Sequence, residues 1–375
     1  DMEDENLLAT WCFKNQKEVF ITDFEKQHME YVQLDGDLSA VAGDDTHSIL
    51  YLPLVLKDRV VGVMTVQSFD KEAYNEYHLD LLKGLGTTIA GAIENALLYE
   101  SLEDKVNERT LELLQQKEII EEKNKSITDS IIYAKRIQDA TLPDIGLVRS
   151  YLEKSFVLFR PKDIVSGDFY WFEKVGNTVL FAVVDCTGHG VPGAFLSLIG
   201  HNALNQIVNE LKILEPGKIL DALNKKVHKT LQNSLEKNSI KDGMDMAICS
   251  LNTDTNLLKF SGAYNPLYVI QNGEISTIKG NKMAIGSHLG DAMKFEQEEI
   301  QLKEGDTIYL FSDGYADQFG GPKGKKFKYS KFRELLLSIH HKDMDEQHSI
   351  LLDTMEEWQG HLEQIDDLCV VGYKL

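Results

Sequence analysis

The sequence lacks the features that mark several large classes of protein. Its 375 residues contain no apolar run of about 18 residues or more, so no membrane-spanning helix is expected. The first residues, DMEDENLLAT, lack the basic segment that opens a secretory signal peptide. Only four cysteines occur, without a CxxC pair, which argues against a disulfide framework or a thiolate zinc site. We therefore expect a cytoplasmic protein with reduced thiols.

Positive charge is also scarce. Lys and Arg number 39 against 60 Asp and Glu, which gives a formal net charge of −21. Residues 1–98 alone hold 18 acidic and 7 basic residues, so roughly half of the excess lies in the first quarter of the chain. Because such a surface repels a phosphate backbone, the charge argues against nucleic acid and favours metal cations or a basic protein as partners.

Residues 1–98 have the pattern of a small α/β segment. Apolar, β-branched runs predict strands at Lys17–Thr22, Ile49–Leu56 and Val60–Ser68, the last two joined as a hairpin. Apolar residues at helical spacing follow from His78. The hairpin and a helix that ends in AIENA, residues 92–96, resemble the C-terminal part of a GAF domain. The resemblance implies a partial sensor domain able to bind a small molecule, without the further helix and strands that open a full GAF domain, and we expect a fragment of a longer protein.

Residues 99–142 are predicted to continue that helix as a linker. Residues 98–138 contain no Gly or Pro. One apolar column recurs every seven residues, at Val106, Leu113, Ile120, Ile127 and Ala134. The companion column is polar: Arg109, Gln116, Lys123 and Ser130. The helix therefore either lies on its own domain or forms a parallel coiled coil, and we favour a homodimeric coiled coil because nothing else in the sequence covers the stripe.

Residues 150–375 are predicted to form an α+β sandwich. Many short strands occur in runs, with helices grouped between them at 193–211, 218–235, 330–341 and 345–359. Gly188–Gly193 fits the dinucleotide pattern GxGxxG after a strand, but a second helix follows where a parallel strand would be needed. We therefore reject a nucleotide cofactor.

Aspartates recur at the ends of these strands. They are Asp168, Asp185, Asp313 and the pair Asp366 and Asp367, with a Gly within three residues of three of these places. Any one of them is most simply a turn or capping residue. If the strands share a sheet edge, however, the aspartates form a cluster whose repulsion a multivalent cation would relieve, and oxygen ligands indicate Mg²⁺ or Mn²⁺.

Residues 156–375 resemble the catalytic domain of the SpoIIE/RsbU-type PPM serine/threonine phosphatases. The motifs that carry the resemblance, in the order of the family, are P-x-x-x-V-S-G-D-F-Y (161–170), D-x-x-G-H-G-x-x-x-A (185–194), G-x-x-N-P (262–266), F-S-D-G (311–314) and D-D-x-x-x-V (366–371). The resemblance implies a PPM-type α-β-β-α sandwich with two Mn²⁺ or Mg²⁺ ions. The implied metal ligands are Asp168, Asp185, the backbone carbonyl of Cys186, Asp313 and Asp366, the last preferred to Asp367.

The expected chemistry is hydrolysis of phosphoserine or phosphothreonine by a metal-bound water. Cys186 lies among acidic residues, where a thiolate nucleophile is disfavoured. His189 could protonate the leaving alkoxide, although a turn residue is the simpler interpretation. Arg160 and Lys162 could bind phosphate or be solvated, and Asp245 could line the site.

The resemblance implies a phosphorylated STAS-domain anti-sigma-factor antagonist as the substrate, with the GAF segment controlling activity through the dimeric linker. The alternative is a catalytically silent scaffold in which the GAF segment binds a ligand. An intact aspartate set favours the enzyme, since a pseudo-enzyme is expected to have lost metal ligands.

Overall fold

The computed structural model describes residues 7–32, 46–232, 242–286 and 294–375. The chain divides into two compact units, Asp1–Glu122 and Lys123–Leu375. Within the described ranges, no helix is both long and apolar enough to cross a membrane.

The first unit contains a three-stranded antiparallel sheet in the order β1-β2-β3. Its elements are α1 (Leu8–Asn15), β1 (Val19–Ile21), α2 (Phe24–Gln27), β2 (Ser48–Leu56) and β3 (Arg59–Ser68). The predicted strand and hairpin are confirmed. Helix α1 was not predicted, and the expectation that no helix precedes the first strand is wrong. The helix is only two turns long and buries Leu8 and Cys12 in an apolar cluster with residues of β1 and β2. Two turns are too short for an apolar periodicity to be recognised in the sequence.

Helix α3 (Glu76–Asp139) is a single helix of 64 residues that ends before Leu142 and Pro143. Its stretch after Gly91 has neither Gly nor Pro, so nothing in the sequence interrupts it. The predicted heptad column is largely exposed in the single chain: Val106 is 55%, Leu113 65%, Ile120 57% and Ile127 58% exposed. These apolar side chains have no covering partner among the described residues of one chain.

The second unit is a sandwich of two antiparallel sheets within the described residues, in the orders β11-β8-β7-β6-β5 and β10-β9-β12-β15-β4. The strands are β4 (Ser155–Arg160), β5 (Phe169–Val175), β6 (Thr178–Cys186), β7 (Met244–Asn252), β8 (Leu257–Ala263), β9 (Leu267–Gln271), β10 (Glu274–Ile278), β11 (Glu298–Gln301), β12 (Thr307–Phe311) and β15 (Leu368–Lys374). A short pair, β13 (Phe319–Gly320) and β14 (Lys325–Lys326), lies apart from them.

Helices cover both outer faces of the sandwich. The unit contains α4 (Ile145–Tyr151), α5 (Gly190–Asn205) with a π-helical turn at Gln206–Glu210, α6 (Pro216–Gln232), α7 (Gly314–Asp317), α8 (Tyr329–Ile339) and α9 (Met344–Gln359). One apolar cluster joins α5 and α6 to the first sheet, a second fills the space between the sheets, and a third joins α8 and α9 to the second sheet. The predicted α-β-β-α sandwich is confirmed.

The order of elements in the second unit is inconsistent with a dinucleotide-binding βαβ unit. Helix α6 follows α5 directly, and all the strand pairs described above are antiparallel.

Strands β10 and β11 were not predicted from the sequence. They are edge strands with exposed polar side chains, so they lack the apolar alternation on which the prediction of a strand depends.

Candidate active site

Three aspartates lie in or beside the first sheet. Asp168 immediately precedes β5, and Asp185 lies near the end of β6. Asp245 is directly opposite Asp185 in the register of β6 with β7. Cross-strand partners have Cβ atoms about 5 Å apart on the same face of a sheet. Asp245 therefore faces the same region as Asp185.

The second sheet supplies the remaining aspartates. Asp313 lies just after β12 and is the N-cap residue before α7, and Asp366 and Asp367 immediately precede β15. Because β12 and β15 are antiparallel neighbours, the end of one lies beside the start of the other. The condition that the strands share one sheet edge is not met, because the aspartates come from both sheets of the sandwich.

Asp168 is the most deeply buried of these carboxylates. It is 2% exposed, and its Oδ2 atom has no hydrogen-bond partner. Burial raises the pKa of Asp168 well above its usual range, and the charge of Asp185 adds to the increase. The Ser312 hydroxyl acts in the opposite direction by hydrogen bonding to the carboxylate. A buried oxygen without a partner is costly, so Asp168 is suited to bind a cation.

The other carboxylates also repel one another. Burial raises the pKa of Asp185 well above its usual range, and the charges of Asp313 and Asp366 raise it further. Burial, and then Asp366, raises the pKa of Asp313 to about 6. Burial, and then Asp313, raises the pKa of Asp245 to about 6. Because these charges act on one another across the two sheets, the aspartates of both sheets border one region.

Asp366 and Asp367 have different surroundings. The Asp367 carboxylate accepts hydrogen bonds from the backbone amides of Lys162 and Gly167, both at 2.7 Å. Both of its oxygens are therefore occupied in holding the loop before β5. The Asp366 side chain accepts one bond, from the Asp367 amide at 2.9 Å, and burial raises its pKa. This difference favours Asp366 over Asp367 as a cation ligand.

The donor set fits hard divalent cations. Within the described parts of the chain, no three His, Cys, Asp or Glu side chains converge closely enough to form a ready metal-binding group. The fit instead depends on chemistry: oxygen donors only, the unpartnered Oδ2 of Asp168, and partly buried like charges that repel. Carboxylate oxygens with little sulfur or nitrogen are the donors that Mg²⁺ and Mn²⁺ prefer.

Two loops of the site pack closely enough to require glycine. A Cβ atom on Gly167 would lie 2.4 Å from the carbonyl oxygen of Gly188 and 3.2 Å from that of Cys186. A Cβ atom on Gly193 would lie 2.2 Å from the same Gly188 oxygen. The Cys186 carbonyl, predicted to bind a metal, therefore lies beside the loop that leads to Asp168.

We expect Gly167→Ala to destabilise the chain by about 1–3 kcal/mol, the usual cost of overpacking. The added methyl group must displace the Gly188 backbone, which cannot rotate away as a side chain would. Urea denaturation measures the change. Gly84→Ala in helix α3 is the matched control, since nothing lies within 4 Å of its Cβ position. There we expect a gain of up to about 1 kcal/mol from helix propensity. Equal effects at the two positions would contradict the packing described here.

His189 is held between two charged residues. Its Nδ1 atom lies 2.6 Å from Asp163 Oδ2, and its Nε2 atom lies 3.0 Å from the Nζ atom of Lys162. Because an ammonium group can only donate, Nε2 accepts from Lys162 and Nδ1 donates to Asp163. Lys162 and His189 both act on the charge of Asp366, so this group lies beside the aspartates.

Arg160 and Cys186 have other roles. Arg160 lines a cavity of about 490 Å³ with residues of β4, β5, α4 and α9, and its buried Nη1 atom has no hydrogen-bond partner. Burial and the charges of Asp168 and Asp185 raise the pKa of the Cys186 thiol well above its usual range. As predicted, a Cys186 thiolate nucleophile is disfavoured.

The aromatic residues Phe169, Trp171 and Phe172 are buried, as is usual for core residues.

The sequence patterns missed several contributors to the site. Asp163 and Ser312 lie inside the motifs at 161–170 and 311–314, but the sequence does not show that Asp163 contacts His189 or that Ser312 contacts Asp168. The structural role of Asp367 was also missed, because the sequence does not show which carboxylate of an adjacent Asp-Asp pair turns toward backbone amides.

Two protein-family models match different parts of the chain. Residues 176–375 match the family described as Stage II sporulation protein E (SpoIIE), and residues 1–94 match the GAF domain family. The phosphoserine phosphatase RsbU of Bacillus subtilis is 23% identical over 160 residues, which are 42% of this chain and 44% of RsbU. This chain therefore matches less than half the length of that relative.

A solved structure extends the comparison. The SiaA-PP2C domain of Pseudomonas aeruginosa is 32% identical, with a TM-score of 0.61, and the match covers 67% of this chain and 98% of that domain. The chain belongs to the SpoIIE family, and its second unit has the PP2C-type phosphatase fold.

Proposed function

We propose that the chain is a metal-dependent protein phosphatase that hydrolyses phosphoserine or phosphothreonine on a partner protein. The observation that carries the proposal is the meeting of partly buried aspartates from both sheets, with one Asp168 oxygen unpartnered. Asp168, Asp185, Asp313 and Asp366, with the Cys186 carbonyl, would hold two Mn²⁺ or Mg²⁺ ions. Such ions activate water at neutral pH and neutralise the charge of a phosphoryl group.

The remaining residues of the site complete this proposal. Asp245 faces Asp185 and adds negative charge to the cation-binding region. Lys162 offers a cation near Asp366 that can attract a phosphoryl oxygen. Asp163 and Lys162 orient His189, whose Nε2 atom accepts from Lys162. His189 would supply a proton to a departing serine alkoxide once Nε2 has left Lys162 and taken up a proton.

A phosphorylated STAS-domain antagonist is the proposed substrate, on the basis of the family resemblance. The proposal is tested by phosphate release from a phosphoserine STAS domain and from a peptide of the same sequence, each with Mn²⁺ and with EDTA. We expect Mn²⁺-dependent release that is faster from the folded domain. Release that is unaffected by EDTA would overturn the metal-dependent mechanism, and no release from either substrate would favour a silent scaffold.

We further propose that α3 pairs with a second copy of the chain and carries control from the GAF segment to the phosphatase. The exposed column of Leu113, Ile120 and Ile127 supports pairing, because exposed apolar side chains at heptad spacing gain stability when a partner helix buries them.

The variant Ile120→Glu with Ile127→Glu is expected to be a monomer in analytical ultracentrifugation, where the unaltered chain is a dimer, since both changes place charge in the paired stripe. The control is Gln115→Glu with Lys125→Gln, which changes the net charge equally. Those positions lie on the far side of the helix, given its 100° rotation per residue. Identical masses for all three chains would contradict the pairing.

A further inference from the structure

Gln138 is a buried amide in the last turn of α3. It is 4% exposed, and its side chain makes three hydrogen bonds within the second unit. Nε2 donates to the Ser166 carbonyl at 2.6 Å and to Ser197 Oγ at 3.0 Å. Oε1 accepts from the Ser166 amide at 3.0 Å. The amide therefore binds both backbone polar groups of one loop residue, as a neighbouring β-strand would.

That loop residue leads directly to Asp168. Ser166 Oγ accepts a hydrogen bond from the Asp168 amide at 3.0 Å, and Ser166 is fully buried. On the other side, Gly167 donates to Asp367 Oδ2 at 2.7 Å. The three-residue loop is thus held from α3 on one side and from the start of β15 on the other.

The Asp168 side chain itself receives little support. Its Oδ2 atom has no hydrogen-bond partner, and only the Ser312 hydroxyl favours its charged form. The position of the carboxylate must therefore come from the backbone to which it is attached. Gln138 determines that position more directly than any other side chain of α3, because it fixes both the amide and the carbonyl of Ser166.

We propose that Gln138 is a positioning residue that holds Asp168 in place to bind a divalent cation. The inference rests on the proposed metal-dependent function and adds a residue outside the family motifs. Removing the amide would leave the Ser166 amide and carbonyl without partners in a dry environment, where each lost bond costs free energy. The loop would then relax, and Asp168 would lose its fixed location.

The test uses Gln138→Leu in the full chain. Residues that hold metal-ligating groups typically alter metal affinity about 10–100-fold when mutated, and we expect an increase of this size in the Mn²⁺ dissociation constant. Isothermal calorimetry with Mn²⁺ alone measures it. The Mn²⁺ concentration for half-maximal phosphate release is expected to rise in parallel, with smaller changes in rate at saturating Mn²⁺.

Gln347→Leu is the matched control. Gln347 is a fully buried amide of α9 that accepts a bond from the Tyr309 hydroxyl at 2.6 Å and donates to the carbonyls of His340 and Lys342. It also loses three hydrogen bonds, so general destabilisation should be similar, while the Mn²⁺ dissociation constant should be unchanged.

Ser166→Ala provides a second variant in case Gln138→Leu does not fold. The substitution deletes one oxygen atom and removes only the hydrogen bond that the Asp168 amide donates to Ser166 Oγ. We therefore expect a smaller increase in the Mn²⁺ dissociation constant. An unchanged constant in every folded variant of Gln138 and Ser166, relative to Gln347→Leu, would overturn the inference. If the unaltered chain binds Mn²⁺ but releases no phosphate, the proposed function fails while the role of Gln138 is still measured.

Discussion

Asp185→Asn is expected to lower kcat/KM for Mn²⁺-dependent phosphate release by about 10³-fold or more. The loss corresponds to several kcal/mol of stabilisation that bound cations supply to the transition state. Asp185 interacts with carboxylates of both sheets, since the charges of Asp313, Asp366 and Asp245 all raise its pKa. An amide removes the negative charge that attracts cations while preserving the shape of the side chain.

The same substitution should make the metal-free chain more stable. In the absence of cations, a buried charge that its neighbours repel opposes folding, and the amide relieves that repulsion. We therefore expect a higher unfolding temperature for Asp185→Asn than for the unaltered chain in EDTA. Unchanged activity, or a less stable metal-free protein, would contradict the assignment of Asp185.

Asp306→Asn is the control for this experiment. Asp306 is also a buried aspartate, 7% exposed, whose Oδ2 accepts bonds from Gln271 Nε2 at 2.6 Å and from the Lys303 amide at 2.8 Å. It precedes β12, at the opposite end of that strand from Asp313. Its substitution is expected to change stability and to leave the phosphatase rate unchanged.

Each bound Mn²⁺ ion is expected to raise the free energy of unfolding by about 2.7 kcal/mol when the free Mn²⁺ concentration is 100 times the dissociation constant of its site. For a unit of this size, that corresponds to an increase of roughly 5–10 °C in the unfolding temperature. The physical reason is the repulsion among Asp168, Asp185 and Asp313, which bound cations convert into attraction.

Thermal scans with Mn²⁺ and with excess EDTA measure this increase. Asp306→Asn should retain the full increase, and Asp185→Asn should lose most of it. The same increase in both variants would place the responsible cation elsewhere on this acidic chain.

Much of the second unit could be predicted from local patterns. Residues such as Val179–Val184 are apolar without interruption because β6 is a central strand, buried on both faces, and such runs are readily identified. Asp168, Asp185 and Asp313 could be recognised as candidate site residues because each lies at the edge of an apolar strand sequence. The motifs then placed them in a known family.

The arrangement of those residues could not be predicted in the same way. The alternation of a strand shows which residues share a face, but it does not show which sheet the strand joins. Asp185 and Asp313 therefore appeared to share one edge, although β6 and β12 belong to different sheets. Gln138 was missed for a similar reason, since a polar residue at the end of a polar helix is recognisable as buried only when its partner, Ser166, is known.

The most direct test of the account is anomalous X-ray diffraction at the manganese edge from crystals of the full chain grown with Mn²⁺. We predict two Mn²⁺ ions per chain among Asp168, Asp185, Asp313 and Asp366, with the Cys186 carbonyl oxygen as a further ligand and Asp367 bound only to the backbone amides of Lys162 and Gly167. Anomalous density that is absent from this region, or confined to other acidic surfaces, would contradict the account.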